Sequence, residues 1–334
     1  MSTVIEILPD PLVDFFRRIV PSLERPCVPA IPEPLFDLLT ARETLEAGWR
    51  RVRANKGAPG GDKMAVTAFE ASSRWRLNRL RKALLCGSYQ PGPIRSVAIP
   101  KANGGQRWLA IPCVVDRIVQ TAVTQVLTPR LDPMMDGGSF GYRPKRSVAM
   151  AVERVEASAA EGMVWVVDGD IETFFDVVPH DKLMKRLAEF IGDVRLLGLI
   201  RMWLEGFSTT GAGLPQGSPL SPLLSNLYLD SLDRLAAGMG GSRWVRYADD
   251  FVLLCRDRRA AERAHRRIGR ELSRHGLKLK AEKTRIVCFD AGFSFLGHAF
   301  ATAERAQGSG TVPLLPAPAA ALPGRVPAPL IMGP

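Results

Sequence analysis

An acidic turn between two apolar runs constrains the fold more than any other feature of this chain. Residues 244–245 and 251–255 are apolar and strand-like, and they flank Asp249 and Asp250. This pattern predicts a buried antiparallel hairpin with both carboxylates at its tip. An Asp-Asp pair by itself is more typical of a solvated turn, so the interpretation depends on these flanks.

A second acidic site follows the apolar run at residues 163–167, which predicts another buried strand. Asp168 and Asp170 stand at the end of that run. Two strands that present carboxylates at one end supply the oxygen ligands that divalent metal ions prefer. The two acidic sites together therefore predict a metal centre.

The size and charge of the chain suit a catalytic core that meets a polyanion. Its 334 residues, 46% of them hydrophobic, suffice for one large or two ordinary domains. The net charge of +11 indicates a partner such as nucleic acid, although a membrane surface would give the same signal. The five scattered cysteines contain no Cys-x-x-Cys pair, which favours a reducing, cytoplasmic location. With no apolar run of about 18 residues and no signal sequence, we expect a protein that neither spans a membrane nor is secreted.

The chain divides into four stretches of different composition. Residues 1–35 are a proline-rich arm, and residues 36–163 form a basic, largely helical region. Residues 164–300 contain both acidic sites and are predicted to be the catalytic domain. Residues 301–334 are rich in proline and alanine, a composition that predicts disorder.

Two further segments are candidates for substrate contact. A glycine-containing turn between residues 97–101 and 106–112 predicts a hairpin with Lys101 and Arg107 on facing strands. Taken alone, such a hairpin is interpreted as a surface hairpin with two ordinary basic residues. Beside a metal site, its two cations are suited to bind a triphosphate. The loop at residues 213–222 contains two glycines and three prolines, and it either has a structural role or brings Gln216 against a substrate.

The mixed order of helices and strands predicts an α+β fold with an antiparallel, palm-like sheet. From residue 39 to residue 300 the sequence resembles the reverse transcriptases of the group II intron-like lineage. Ordered blocks give the resemblance, at residues 56–60, 99–101, 116–120, 139–144, 170–175, 214–222, 247–250, 282–284 and 295–297. Residues 165–168 and 292–298 are most similar to CRISPR-associated reverse transcriptases, which help to acquire spacers from RNA.

The resemblance implies the fingers and palm of a right-hand polymerase, with residues 36–163 as fingers and residues 164–300 as palm. It also implies RNA-directed DNA synthesis from deoxynucleoside triphosphates by two-metal nucleotidyl transfer, on an RNA template with a DNA or RNA primer. By resemblance, Asp170, Asp249 and Asp250 are catalytic residues that hold two magnesium ions, with manganese as the alternative. Lys283 matches the position that protonates the departing pyrophosphate; the other interpretation is a surface lysine.

Four residues match nucleotide-binding positions of this lineage. Lys101 and Arg107 correspond to the finger residues that grip the incoming triphosphate and offset its charge. Phe175 corresponds to the aromatic ring that excludes a ribose 2′ hydroxyl, and core packing is the other interpretation. Gln216 corresponds to a residue that contacts the nucleotide or the template minor groove.

Four more residues match positions that contact nucleic acid: Arg143 at template phosphate, and Phe295, Leu296 and Gly297 at the primer end. After residue 300 the lineage continues into a helical thumb, which we expect to be missing from this chain. Two alternatives stay open: a partner chain supplies the thumb, or the chain is a truncated product of a longer gene.

Three functions also stay open. The first is a reverse transcriptase that works beside a CRISPR adaptation integrase to acquire spacers from RNA. The second is an intron-encoded reverse transcriptase or maturase. The third is a non-catalytic RNA-binding subunit. The intact carboxylates and cations argue against the third, because an RNA-binding scaffold has no physical need for them together.

Overall fold

The computed structural model describes residues 34–100 and 104–301. Nearly all of the proline-rich arm, Lys101 and the tail after residue 301 therefore lie outside the described residues, as does the expectation of a missing thumb. Within the described ranges, none of the helices is both long enough and apolar enough to cross a lipid bilayer.

The described residues form eleven helices and eight strands, besides two short 3-10 turns. The helices are α1 (Leu35–Thr40), α2 (Arg42–Ala54), α3 (Val66–Glu70), α4 (Ser73–Leu85), α5 (Val114–Leu131), α6 (Val148–Ala160), α7 (Phe174–Val177), α8 (His180–Ala188), α9 (Val194–Phe207), α10 (Ser221–Ala237) and α11 (Arg258–Arg274). The strands are β1 (Arg95–Pro100), β2 (Gln106–Ile111), β3 (Trp165–Asp170), β4 (Ser242–Tyr247), β5 (Asp250–Cys255), β6 (Arg285–Cys288), β7 (Phe293–Phe295) and β8 (His298–Phe300).

Two compact units arise from this order, and each draws on two stretches of the chain. Of the described residues, the first unit contains 34–100, 104–134 and 175–228. The second unit contains residues 135–174 and 229–301.

In the first unit, α5 is the central helix, because it is buried along most of its length. Helix α2 packs against it and buries Leu45, Trp49 and Val52, whose spacing places them on one helix face. Gly48 permits the close approach of the two helices, since a Cβ there would lie 2.7 Å from the carbonyl oxygen of Ile118.

A buried polar network joins three parts of the first unit. The Tyr89 hydroxyl donates to Oδ1 of Asp116 on α5 at 2.5 Å, and the indole N–H of Trp203 on α9 donates to the Tyr89 oxygen at 3.0 Å. The backbone N–H of Gly92 donates to the other Asp116 oxygen at 3.0 Å. Burial raises the pKa of Asp116, and these hydrogen bonds lower it in part. The network thereby fixes the segment before β1 to α5 and α9.

A break separates α3 from α4. The chain leaves the helical conformation at Ser72, where φ is −135°. Serine favours the position that precedes a helix, and α4 begins at the next residue. The predicted hairpin is confirmed in its described residues as β1 and β2, with Ile99 opposite Arg107.

The second unit is built on a four-stranded antiparallel sheet with the strand order β4-β5-β3-β6. Strands β4 and β5 form the predicted acidic hairpin, and β3, the predicted strand of the other acidic site, pairs with β5. The two acidic sites therefore meet at one end of neighbouring strands. The predicted α+β fold with an antiparallel palm-like sheet is confirmed.

The two faces of this sheet pack against different helices. Val166, Val245 and Leu254 belong to a core cluster with residues of α6 and of the β7–β8 hairpin. The side chains of Trp244 and Arg246 point to the opposite face, because neighbouring strand residues alternate, and both contact α10. Helix α11 packs against β3 and β5. The sheet is thus supported on both faces, which holds its acidic end in place.

Candidate active site

The three predicted metal ligands lie at one end of the four-stranded sheet. Asp170, the last residue of β3, is the register partner of Asp250, the first residue of β5. Asp249 lies in the two-residue turn that joins β4 to β5, beside Ala248, whose φ is +60°. Asp170 is only 9% exposed, whereas Asp249 is half-buried and Asp250 is exposed. Antiparallel pairing therefore brings together carboxylates that are far apart in the sequence.

Gly169 makes the close packing of β3 on β5 possible. A Cβ at this position would lie 2.4 Å from Cζ of Phe251, much closer than non-bonded atoms approach. Phe251 is fully buried and contacts Trp244, with ring centroids 4.8 Å apart. Glycine is therefore required between the two acidic residues of β3, Asp168 and Asp170.

A buried ion pair supports the turn that carries Asp249. The Arg246 guanidinium donates to both carboxylate oxygens of Asp233 on α10, through Nε and Nη2, at 2.6 Å each. Its Nη1 donates to the carbonyl of Ala248 at 2.8 Å, and Nη2 also donates to the Ser139 hydroxyl at 2.7 Å. Neither side chain of the pair has exposed surface. The guanidinium therefore fixes the backbone directly before Asp249.

Two basic side chains that follow α11 pair with the carboxylates of β3. Nζ of Lys283 lies 2.5 Å from Oδ2 of Asp170, and Nε of Arg285 lies 3.0 Å from Oδ2 of Asp168. The hydrogen bond to Asp170 is the main cause that raises the pKa of Lys283. The structure thus places the ammonium group of Lys283 inside the acidic cluster, where it remains protonated.

Negative charge is concentrated at this end of the sheet. Desolvation by the surrounding protein, followed by repulsion from Asp249 and Asp170, raises the pKa of Asp250 to about 6, although the residue is exposed to solvent. Burial is the main cause that raises the pKa of Asp168, and the hydrogen bond from Arg285 offsets it in part. A bound cation would relieve the repulsion among these carboxylates.

The acidic cluster opens into a pocket of about 400 Å³. The end of β3, the first residue of β5, the segment around Lys283 and the β7–β8 hairpin line it. The carboxylate oxygens of Asp170, Asp249 and Asp250 suit a hard divalent cation, and so does their repulsion. Among residues 34–100 and 104–301, no group of three or more acidic, histidine or cysteine side chains is arranged to hold a metal ion by itself. Binding of a divalent ion by Asp170, Asp249 and Asp250 therefore stays a prediction, in which water or substrate supplies the remaining ligands.

The predicted primer-end residues form the turn of the β7–β8 hairpin. Leu296 and Gly297 have φ angles of +53° and +81°, which suit the two-residue turn between Phe295 and His298. Phe295 is buried in the core cluster of the sheet, and both Phe295 and Leu296 line the acidic pocket. The structure thus brings this turn to the carboxylates, and its contact with a primer stays a prediction.

Arg143 lies inside its own loop. It is 6% exposed, and its Nη1 donates to the backbone carbonyls of Asp136 at 2.6 Å and Ser139 at 3.0 Å. In the same loop the N–H of Phe140 donates to the carbonyl of Arg246 at 2.8 Å. These bonds support the strand that leads to the acidic turn. The phosphate contact of Arg143 stays a prediction.

The predicted nucleotide-binding residues that the structure describes lie in the first unit. Arg107 is exposed on β2, and the N–H of Ala110 on the same strand donates to the carbonyl of Gln216 at 2.8 Å. The N–H of Leu214 donates to the carbonyl of the half-buried Phe175 at 2.6 Å. One loop therefore links Gln216 to the strand of Arg107 and to the backbone of Phe175.

Sequence reasoning missed two buried side chains that support these loops. His180 is fully buried at the start of α8, and its Nε2 lies 2.8 Å from the carbonyl oxygen of Gly213, just before the loop of Gln216. Arg246 on β4 is the other. The signal for Arg246 is a charged residue that directly follows the apolar pair Trp244 and Val245 in the predicted strand. No such signal exists for His180, which stands beside charged residues in the sequence.

Comparison with known proteins identifies the family. The family model "Reverse transcriptase (RNA-dependent DNA polymerase)" matches residues 99–300, a range that contains the whole acidic cluster. Protein YkfC of Escherichia coli is 34% identical over 311 residues, covering 79% of this chain and 82% of YkfC. The group II intron-encoded protein LtrA of Lactococcus lactis is 31% identical over 208 residues, covering 60% of this chain and 34% of LtrA.

Solved structures also resemble the chain. A chain of the partial Cas6-RT-Cas1--Cas2 complex is 29% identical, with a TM-score of 0.43 and coverage of 73% of this chain and 42% of that chain. A Candida tropicalis telomerase chain is 14% identical, with a TM-score of 0.49, and the match covers 68% of this chain and 58% of the telomerase chain. The family match alone covers more than half of the chain and confirms the predicted enzyme class. The chain therefore belongs to the reverse transcriptases, the family of RNA-dependent DNA polymerases.

Proposed function

We propose that this protein extends a DNA or RNA primer on an RNA template, using deoxynucleoside triphosphates. The supporting observation is the register pair of Asp170 and Asp250, with Asp249 in the adjoining turn. An RNA-binding scaffold has no physical need for carboxylates that repel one another beside a pocket. In this function residues 36–163 act as the fingers and residues 164–300 as the palm.

Reverse transcriptases in general use divalent metal ions. Here Asp170, Asp249 and Asp250 would hold two magnesium ions, and manganese would serve because it shares the preference for oxygen ligands. When bound, the two ions stabilise charge on the attacking and the leaving oxygen. Lys283 lies 2.5 Å from Oδ2 of Asp170 and holds a proton at the pocket wall, which it would give to the leaving pyrophosphate.

The nucleotide would be bound by residues of the first unit. Arg107, together with Lys101, would hold the triphosphate, because two cations offset its charge. Gln216 would contact the nucleotide or the template. Phe175 would exclude a ribose 2′ hydroxyl by steric contact. Phe175→Ala should then admit ribonucleotides, measured as the ratio of kcat/KM for deoxy- and ribonucleotides, and an unchanged ratio would contradict this role.

Primer extension on an RNA template with magnesium tests the proposal. Wild type is compared with Asp249→Asn/Asp250→Asn and with Asp181→Asn, a control at a carboxylate whose side chain is 81% exposed. We expect synthesis by wild type and by the control, and none by the double variant. Absence of synthesis in a folded, RNA-binding wild type would instead support a non-catalytic RNA-binding subunit.

Two biological settings fit such a polymerase. Residues 165–168 and 292–298 are similar to CRISPR-associated reverse transcriptases, so spacer acquisition from RNA beside an adaptation integrase is the first. An intron-encoded reverse transcriptase or maturase is the second, supported by the identity with LtrA, of which this chain covers 34%. We propose a cytoplasmic location for this chain in either setting. An adjacent integrase gene with a repeat array would support the first, and flanking intron RNA domains would support the second.

A further inference from the structure

Helix α11 has a high concentration of arginine, at seven of its 17 residues. Five of these recur at the three- and four-residue spacing of a single helix face. At about 100° per residue they fall within an arc of roughly 100° and extend about 16 Å along the helix. All five are exposed. This arginine face consists of Arg259, Arg263, Arg266, Arg267 and Arg270.

The opposite face of α11 is apolar and buried. Ala261, Ala264, Ile268 and Leu272 are at most 5% exposed, and the helix packs against β3 and β5. An interfacial membrane helix inserts its apolar face among the lipid chains. In α11 that face is already used within the protein, so only the charged side is open to a partner. This arrangement favours a solvated polyanion over a lipid surface.

The arginine face has no acidic partner in the described part of the chain, where none of its guanidinium groups forms a hydrogen bond or an ion pair. The two glutamates of α11 pair with other arginines, Glu262 with Arg258 at 3.1 Å and Glu271 with Arg274 at 3.2 Å. Like charges three and four residues apart lower the stability of a helix. A row of five such charges is therefore better explained by an external anion than by helix stability.

We propose that the arginine face binds the phosphate backbone of RNA outside the catalytic pocket. Guanidinium groups bind phosphate oxygens through two parallel hydrogen bonds and stay charged at any physiological pH. With one phosphate for about every 3.4 Å of strand, a row of about 16 Å meets roughly four or five phosphates. The inference rests on the proposed function, because a polymerase that copies RNA must hold template that is not at the carboxylates.

The test compares two triple variants of the full chain that change the net charge equally. Arg263→Gln/Arg266→Gln/Arg270→Gln removes the centre of the arginine face, and glutamine preserves helix propensity. The control, Arg42→Gln/Arg243→Gln/Arg258→Gln, removes arginines that each pair with a glutamate. Fluorescence anisotropy measures the Kd for a labelled single-stranded RNA over a series of salt concentrations.

The arginine-face variant should bind RNA about 10- to 100-fold more weakly near 0.1 M salt. The slope of log K against log salt should fall by about 2, since each lost phosphate contact on a single strand removes about 0.7. The control should stay within about twofold of wild type, because its arginines are occupied by glutamates. The Tm of the arginine-face variant should be unchanged or higher, because like charges are removed.

Nucleotide incorporation separates this inference from the proposed function. At saturating RNA, the arginine-face variant should add one nucleotide at the wild-type rate, because the carboxylates lie at the end of β3 and β5 and not on α11. A wild type without polymerase activity would refute the proposed function and leave the binding comparison valid.

Four outcomes would overturn the inference. Equal weakening of RNA binding in both triple variants would show an effect of bulk charge, and no weakening would show a purely solvated face. An equal loss of affinity for duplex DNA would overturn the assignment to RNA. Wild type is also sedimented with phosphatidylserine vesicles. If the arginine-face variant no longer sediments with them but still binds RNA, the surface is assigned to a membrane.

Discussion

The buried pair of Arg246 and Asp233 should control the stability of the second unit. Neither side chain has exposed surface, and two hydrogen bonds of 2.6 Å join them. Asp233→Leu would leave the guanidinium buried without a counter-charge, at a cost of about 3–5 kcal/mol in the free energy of unfolding. Arg246→Met should cost about as much, because it leaves Asp233 without its counter-charge and the Ala248 carbonyl without its donor.

The double variant isolates the contribution of the pair. It removes both charges and leaves three groups unpaired: the Trp244 indole N–H, the Ser139 hydroxyl and the Ala248 carbonyl. At about 1–2 kcal/mol for each buried group, the loss should total roughly 3–6 kcal/mol. The sum of the two single losses is about 6–10 kcal/mol. Urea unfolding followed by tryptophan fluorescence gives all three values, and an additive double variant would refute the reasoning.

The same pair should determine where Asp249 lies. Arg246→Lys keeps a positive charge but lacks the planar fork that meets Asp233 and the Ala248 carbonyl together. We expect kcat for nucleotide addition to fall by about 100-fold, the scale of a misplacement of about 1 Å. The Kd for RNA should stay at the wild-type value. Parallel losses of kcat and RNA affinity would instead indicate a general loss of structure.

Four further changes test packing and buried polar contacts in the two units. Gly169→Ala should lower the free energy of unfolding by about 1–3 kcal/mol, because the new Cβ would lie 2.4 Å from Phe251. Gly206→Ala, on α9 with open space around it, should raise that free energy by up to about 1 kcal/mol, and urea unfolding measures both glycine variants. Tyr89→Phe removes two hydrogen bonds of the buried network, and urea unfolding should show a loss of about 1.5–3 kcal/mol. Burial lowers the pKa of His180 in the folded protein, so the unfolded state binds more protons below pH 6.5. The free energy of unfolding should therefore fall as the pH decreases through that range. His180→Gln should flatten this part of the stability profile, and identical profiles for wild type and variant would contradict the assignment.

The acidic end of the sheet is predictable because its signals are local. A tight turn between apolar runs indicates the β4–β5 hairpin within a few residues, and the run before Asp170 indicates β3. The contact between Lys283 and Asp170 joins residues 113 positions apart, and no local pattern contains it. It depends on a tertiary pairing in which the N–H of Lys280 donates to the Asp170 carbonyl. The same holds for Arg246, whose partner Asp233 becomes its neighbour only when α10 packs on the sheet.

Burial separates the basic residues of this chain into three roles that the net charge of +11 does not distinguish. Arg246 is fully buried and acts on stability, Lys283 is half-exposed beside the carboxylates, and the arginine face is exposed. At physiological ionic strength charges are screened over about 8 Å in solvent, and buried pairs are screened much less. Raising the salt concentration should therefore remove the effect of the arginine-face variant first. It should leave the stability loss of Arg246→Met unchanged. Disappearance of that loss in high salt would show that the pair is solvated and would refute its burial.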